Sequence, residues 1–267
     1  GIQFRLLNRR KGPAVRAPRA QADKKAYQFR MKETVESHPY LDLKQGMLEE
    51  LLIEGDRVRG IALKGGARFL GRSVVLTTGT FLKGLIHIGD VSYAAGRAGE
   101  QSSERASAAL RRLGFTLGRL KTGTPPRVDA RSLDFASTEV QPGDEDPRPF
   151  SYRTDRIVQP QLPCHLTRTT TATHDLIRSN LARSSIYGGR IEGVGPRYCP
   201  SVEDKVVRFP EKDGHQIFLE PEGHHTREVY LNGLSMSLPE DVQIEVVRSI
   251  PGLERAEVMR PAYAVEY

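Results

Sequence analysis

Five short runs rich in apolar and β-branched residues, at 41–43, 47–53, 58–63, 67–70 and 73–78, crowd into one stretch of the chain. Gly55-Asp56 and Gly65-Gly66 supply turns between some of them. Runs this short, bounded by turn residues, cannot make helices of ordinary length, so the stretch must fold as strands. Val74-Val75-Leu76 is continuously apolar, the pattern of a strand covered on both faces. It leads into Thr77-Thr78-Gly79-Thr80-Phe81-Leu82, where a glycine lets the backbone come close to a ligand at a strand's carboxyl end.

Helical patterns flank this stretch. Residues 20–37 place Ala22, Ala26, Phe29, Met31 and Val35 roughly on one side, and His38-Pro39 ends the pattern. Further helices are expected at 103–113, at 174–182 with Thr173 as cap, and at 239–250 behind Pro239-Glu240-Asp241. Residues 120–127 read as a rigid polar turn, and 205–209 and 216–220 as strands. From about 130 to 200 the texture changes to that of an insertion. It has an acidic loop at 143–147, a Thr-rich segment at 167–173, and breaks at Pro160, Pro163 and Gly188-Gly189. The chain starts at Gly1 and ends on Ala262-Tyr263-Ala264-Val265-Glu266-Tyr267, a strand in progress, and is expected to be cut at both ends.

The 267 residues carry a formal charge of +7, and Arg5, Arg9, Arg10, Lys11, Arg16 and Arg19 cluster near the start. Clustered cations suit a polyanionic partner, through phosphate neutralisation and counterion release. A solvated basic loop is the alternative. No run approaches the roughly 20 apolar residues of a membrane span. Two cysteines, Cys164 and Cys199, make no disulfide framework and no CxxC zinc pair, and the histidines show no metal-ligand spacing, so no metal is expected. The doublet His224-His225 and the carboxylates Glu220 and Glu222 read as solvated loop residues.

The densest constellation is Gly193-Val194-Gly195-Pro196-Arg197-Tyr198-Cys199-Pro200-Ser201-Val202-Glu203-Asp204-Lys205. Glycine and proline hold Cys199 on a tight turn, and Arg197, Lys205 and Arg208 could lower its pKa and make the thiol reactive. A buried structural cysteine is the alternative, and local physics alone favours it. Cys164, beside His165, carries the same ambiguity.

Residues 195–209, GPRYCPSVEDKVVRF, closely resemble the signature of the MnmG (GidA) family. The blocks KGPAVR at 11–16, RAQAD at 19–23, TGTFL at 78–82, GRLKTGTPPR at 118–127 and LEPEG at 219–223 agree in order, so the resemblance covers essentially the whole chain. It implies a glutathione-reductase-like FAD domain, present in part, with an inserted mixed α+β NAD-associated domain. The expected division is 1–127 for the FAD domain, about 128–210 for the insertion, and 211–267 for its end and the return to the FAD domain. It also implies an FAD-dependent enzyme that builds an aminomethyl or carboxymethylaminomethyl group on C5 of the wobble uridine of tRNA. NADH reduces the flavin, 5,10-methylene-tetrahydrofolate supplies a carbon, and glycine or ammonium supplies nitrogen. The implied partners are tRNA, an MnmE-type GTPase and a second copy in a homodimer, in the cytoplasm.

By matching position, Leu48 and Ser103 fall on single FAD contacts. Gly195, Pro196, Arg197, Tyr198, Cys199, Pro200, Ser201, Val202, Glu203, Asp204, Lys205, Val206, Val207, Arg208 and Phe209 fall on the NAD-binding segment. Cys199 matches a functionally required cysteine, and Cys164 a family cysteine of undefined role. The family's GxGxxG, its first essential cysteine, its C-terminal FAD motif and its helical tail have no counterpart here, so these residues alone are expected to bind FAD poorly and not to turn over. A folate- and FAD-dependent tRNA uracil-5 methyltransferase is the enzymatic alternative, and a non-catalytic RNA-binding module the other.

Overall fold

The computed structural model describes residues 1–195 and 200–267. The first elements are an antiparallel hairpin, β1 (Gln3–Leu7) and β2 (Ala17–Gln21), and the helix α1 (Lys24–Glu36). A three-stranded meander follows, β3 (Leu48–Glu54), β4 (Arg57–Leu63) and β5 (Arg68–Leu70). Then come β6 (Leu85–Ile88), β7 (Val91–Ala94), α2 (Ala106–Arg112), β8 (Lys121–Thr124) and β9 (Arg127–Asp129). The rest comprises β10 (Glu139–Gln141), β11 (Cys164–Arg168), α3 (Thr171–Ser179), α4 (Val202–Arg208), β12 (Gln216–Pro221) and β13 (Glu228–Asn232). Helix α5 (Glu240–Arg248), β14 (Val258–Arg260) and β15 (Tyr263–Glu266) close the chain.

These elements make a mixed α/β protein with several sheets. The largest, in the order β10-β11-β12-β13-β9-β14, carries α3, α4 and α5, with α3 packed against both of the others. Its core includes Ile217 and Leu219 of β12, Leu231 of β13, Val202 and Val206 of α4, and Val246 and Val247 of α5. Each such side chain contributes about 1.5–3 kcal/mol when removed from water. Strands β11 and β12 are paired neighbours although the expected insertion boundary at 210 lies between them. A second sheet, β7-β6-β15-β8, draws its central strand from the end of the chain.

Several local expectations change. Residues 205–209 do not form a strand. Ser201 and Asp204 form a reciprocal capping box that starts α4 instead, and acidic Glu203 and Asp204 sit favourably in its first turn. The cap of α3 is Thr170 rather than Thr173, which is its reciprocal partner three residues on. Most of the supposed polar turn at 120–127 is strand β8, paired to β15. Residues 73–78 form no strand, and Val75 is 84% exposed. An apolar run is a strand only where neighbours satisfy its backbone and cover its faces, and none does so among the described residues. Residues 41–43 are likewise irregular. Helix α1 forms where expected, capped by Asp23, yet none of its residues is buried. Among the described residues no helix is long and apolar enough to cross a membrane.

Candidate functional site

Leu48 and Ser103 lie 55 positions apart and are joined directly, the Ser103 hydroxyl donating to the Leu48 carbonyl at 2.7 Å. The Ser103 backbone amide donates to Phe81 O, so this pair sits against the Gly79-Thr80-Phe81 turn singled out in the sequence. A hydroxyl whose proton is committed keeps acceptor capacity, so Ser103 can still accept from a ligand N–H. That donor–acceptor character fits a single contact to a flavin nucleotide.

The segment 195–209 divides by burial. Ser201, Val202, Glu203 and Val206 are buried and fasten α4 to the core, whereas Gly195, Pro200, Val207, Arg208 and Phe209 are exposed and Asp204 and Lys205 half-buried. Glu203 accepts from the Ser237 amide at 2.9 Å and the Ser184 hydroxyl at 3.1 Å, while its second oxygen has no partner among the described residues. Burial raises its pKa and favours the neutral carboxylic acid. Lys205 donates to Gly233 O at 3.1 Å, and burial lowers its pKa. The exposed members are those able to meet a dinucleotide, and the buried ones build the shelf beneath them. Pro196, Arg197, Tyr198 and Cys199 lie outside the described residues.

A polar centre that the sequence reading missed lies on one face of the second sheet. Glu266 of β15 pairs across to Lys121 of β8, and His87 of β6 pairs with Ala264, two residues from Glu266. Period-two alternation therefore puts His87, Glu266 and Lys121 on the same face. All three are buried. Glu266 Oε1 accepts the amides of Glu192 and Gly193 at 3.1 and 2.6 Å. Its Oε2 lies 3.4 Å from His87 Nε2 and 3.6 Å from Arg119 Nη2. Burial, only partly opposed by Glu266, lowers the His87 pKa, so the ring is neutral at neutral pH. Gly193 permits this close packing, because a Cβ there would lie 2.9 Å from the Leu120 backbone. The signal in the sequence was weak, since Arg119 and Lys121 sit in a block that reads as a turn and Glu266 in a short terminal strand.

One path of hydrogen bonds and a single ion pair connects these parts. Ser103 O accepts from Lys83 N at 3.0 Å, Lys83 O accepts from Arg119 Nη1 at 3.0 Å, Arg119 faces Glu266, and Glu266 holds Gly193. The two expected FAD positions are thus mechanically joined to Gly193, two residues before the expected nicotinamide segment.

Cys164 sits elsewhere, at the base of the β1–β2 hairpin, with Sγ 3.1 Å from Gln21 Oε1. Burial, reinforced by Glu220, pushes its thiol up to about 11, so it is a structural thiol rather than a nucleophile. Glu220 and Glu222 are not solvated: Glu220 meets Arg19 at 2.6 Å, and Glu222 meets Lys24 at 2.9 Å and Arg127 at 3.2 Å. Arg19 of the basic cluster is therefore spent on holding the hairpin to the sheet, and Arg9 on Asp144 at 2.6 Å in the loop after β10. His224 and His225 are exposed, as expected. Among the described residues no group of His, Cys, Asp or Glu could hold a metal.

The polar scaffold that joins Leu48 and Ser103 to Gly193 belongs to a definable class of protein. Comparison makes the class specific. The family described as glucose inhibited division protein A matches residues 1–267, and the chain belongs to that family. Relatives from Geobacter sulfurreducens and Syntrophotalea carbinolica, both named tRNA uridine 5-carboxymethylaminomethyl modification enzyme MnmG, are 60% and 58% identical over the whole chain. The chain spans 43% of the length of each. The structure of GidA from Aquifex aeolicus superposes with a TM-score of 0.93 at 51% identity, covering all of this chain and 46% of that one.

Proposed function

We propose that these residues are the central part of an FAD- and NADH-dependent enzyme that adds an aminomethyl or carboxymethylaminomethyl group to C5 of the wobble uridine of tRNA. The observation that carries the reading is the path of hydrogen bonds and one ion pair from Leu48 and Ser103 to Gly193, which supports reading the FAD positions and the stretch just before residue 195 as parts of one scaffold. In this reading Leu48 and Ser103 touch FAD, and the exposed members of 195–209 touch the nicotinamide dinucleotide. The surrounding fold is a glutathione-reductase-like FAD domain with an inserted NAD-associated domain, divided near residues 128 and 210. When bound, the flavin supplies two-electron redox chemistry and NADH reduces it, with 5,10-methylene-tetrahydrofolate as carbon donor. Cys199 is the reactive thiol, adding to or exchanging protons with the uracil ring at C6 or C5. Buried Glu203 and half-buried Lys205 fix α4, which begins three residues after that thiol. The partners are tRNA, an MnmE-type GTPase and a second copy of the protein, and the compartment is the cytoplasm. The 267 residues alone bind FAD weakly and do not turn over.

The test is the modified nucleoside, identified by mass spectrometry from tRNA treated with the full-length protein. A wobble aminomethyl-type uridine that disappears with Cys199→Ser is expected. 5-Methyluridine at another position, or an undiminished yield with Cys199→Ser, overturns the reading.

A further inference from the structure

Lys121 is a charge without a counterion contact among the described residues. It is 5% exposed, and among the described residues none makes a hydrogen bond or ion pair to its ammonium, which is not itself fully enclosed. Its cross-strand neighbour Glu266 does not serve as its counterion. One Glu266 oxygen is taken by two amides, and the other is turned to His87 and Arg119. The stem is thus buried while the charged end keeps an opening through which an anion can reach it. Its direction is defined: the ammonium lies 3.9 Å from the Cβ position of Gly195, and Gly195 itself is exposed. Lys121 N also bonds Val194 O at 3.0 Å, which fixes its strand against residues 193–195. The face it shares is further marked by His87, 2% exposed, whose Nε2 has Glu266 Oε2 at 3.4 Å and whose Nδ1 has no hydrogen-bond partner among the described residues. This face therefore holds a recessed cation aimed at an accessible glycine, with no hydrogen-bonded or ion-paired anion on its ammonium among the described residues.

The geometry points to Lys121 as a phosphate-binding residue that takes the pyrophosphate of the nicotinamide dinucleotide where it crosses Gly195. The absence of a side chain at Gly195 lets a phosphate oxygen come within reach of the ammonium. Glu266 and Arg119 act beneath it as positioning residues, holding 193–195 at the right height. The assignment rests on the reading of 195–209 as the nicotinamide segment. A phosphate of the RNA backbone has the same chemistry, and the experiment separates the two sources.

The experiment measures NADH binding by fluorescence in the full-length, flavin-loaded protein, for wild type, Lys121→Arg, Lys121→Gln and Lys121→Met. Gln and Met are expected to raise the NADH Kd about tenfold or more, the scale of one charge-assisted phosphate contact, and to flatten its salt dependence. Arg should hold the Kd within about threefold, since it keeps the charge. Reduced nicotinamide riboside, which lacks the pyrophosphate, should bind wild type and Lys121→Gln alike. Flavin content and tRNA affinity should match wild type in every variant that folds, and Lys121→Gln keeps the test open if the Met variant does not. An unchanged NADH Kd in Lys121→Gln, an equal loss for the riboside, or a loss of tRNA affinity in place of NADH affinity overturns the assignment. Failure of the wild type itself to bind NADH overturns the nicotinamide reading instead.

Discussion

Helices α1 and α5 carry comparable apolar side chains and end in opposite environments. In α5, Val242, Val246 and Val247 are buried against the six-stranded sheet. In α1, Tyr27 is 60% and Phe29 67% exposed, and its order comes from the Asp23 cap and ion pairs one turn apart such as Arg30–Glu33. A helix of this length is marginal without a surface to pack on. The meander that follows it in the chain resembles α1 more than α5, with Leu70 largely exposed. An apolar pattern thus states what an element can bury, and only a facing layer decides whether it does.

The contrast yields graded tests. Leu231→Ala, in the heart of the main core, should lower unfolding free energy by about 2–5 kcal/mol in urea denaturation, whereas a value near zero would mean that the core there is not close-packed. Arg19→Ala should cost about 1–3 kcal/mol, since it strands the mostly buried Glu220 carboxylate, and Glu220→Gln in the same background should recover part of that loss. Glu203 tests the same body by pH. Its folded pKa is raised, so the folded state holds the proton more tightly than the unfolded chain. The stability this gives is complete below the ordinary Glu value and declines as pH rises through the folded value. Glu203→Gln should flatten that decline in urea midpoints measured across the range, and an identical pH profile would show that the carboxyl is ionised in the fold. Cys164 should resist alkylation in the folded chain at pH 8 and react once urea unfolds it. Equal labelling in both states, read by mass spectrometry, would contradict its burial. The smallest effect is expected in the outer layer: Phe29→Ala should shift stability by no more than about 0.5 kcal/mol. A core-sized loss there would abolish the contrast between the two regions.

Much of the local structure was readable because its causes are local. The meander followed from its turn residues, α5 from Pro239 and the acidic pair behind it, and β15 from alternating terminal residues. The misreadings share one origin. Residues 205–209 look β-branched enough for a strand, but the Ser201–Asp204 capping box lies upstream of that window and commits the segment to helix. Residues 73–78 have the composition of a central strand and lack neighbours to make them one. Glu220 and Glu222 look solvated until the N-terminal hairpin folds over them with Arg19 and Lys24.

The signature at 195–209, the family it marks and the order of the blocks around it were written in the sequence, because identity and spacing of residues are properties of the chain itself. That Ser103 donates to Leu48, that Cys164 is a walled-in thiol, and that Lys121, His87 and Glu266 meet on one sheet face beside Gly193 were settled only by tertiary structure. Those relations join strands far apart in sequence through pairing registers, and a register is fixed by which faces become buried when the whole chain packs.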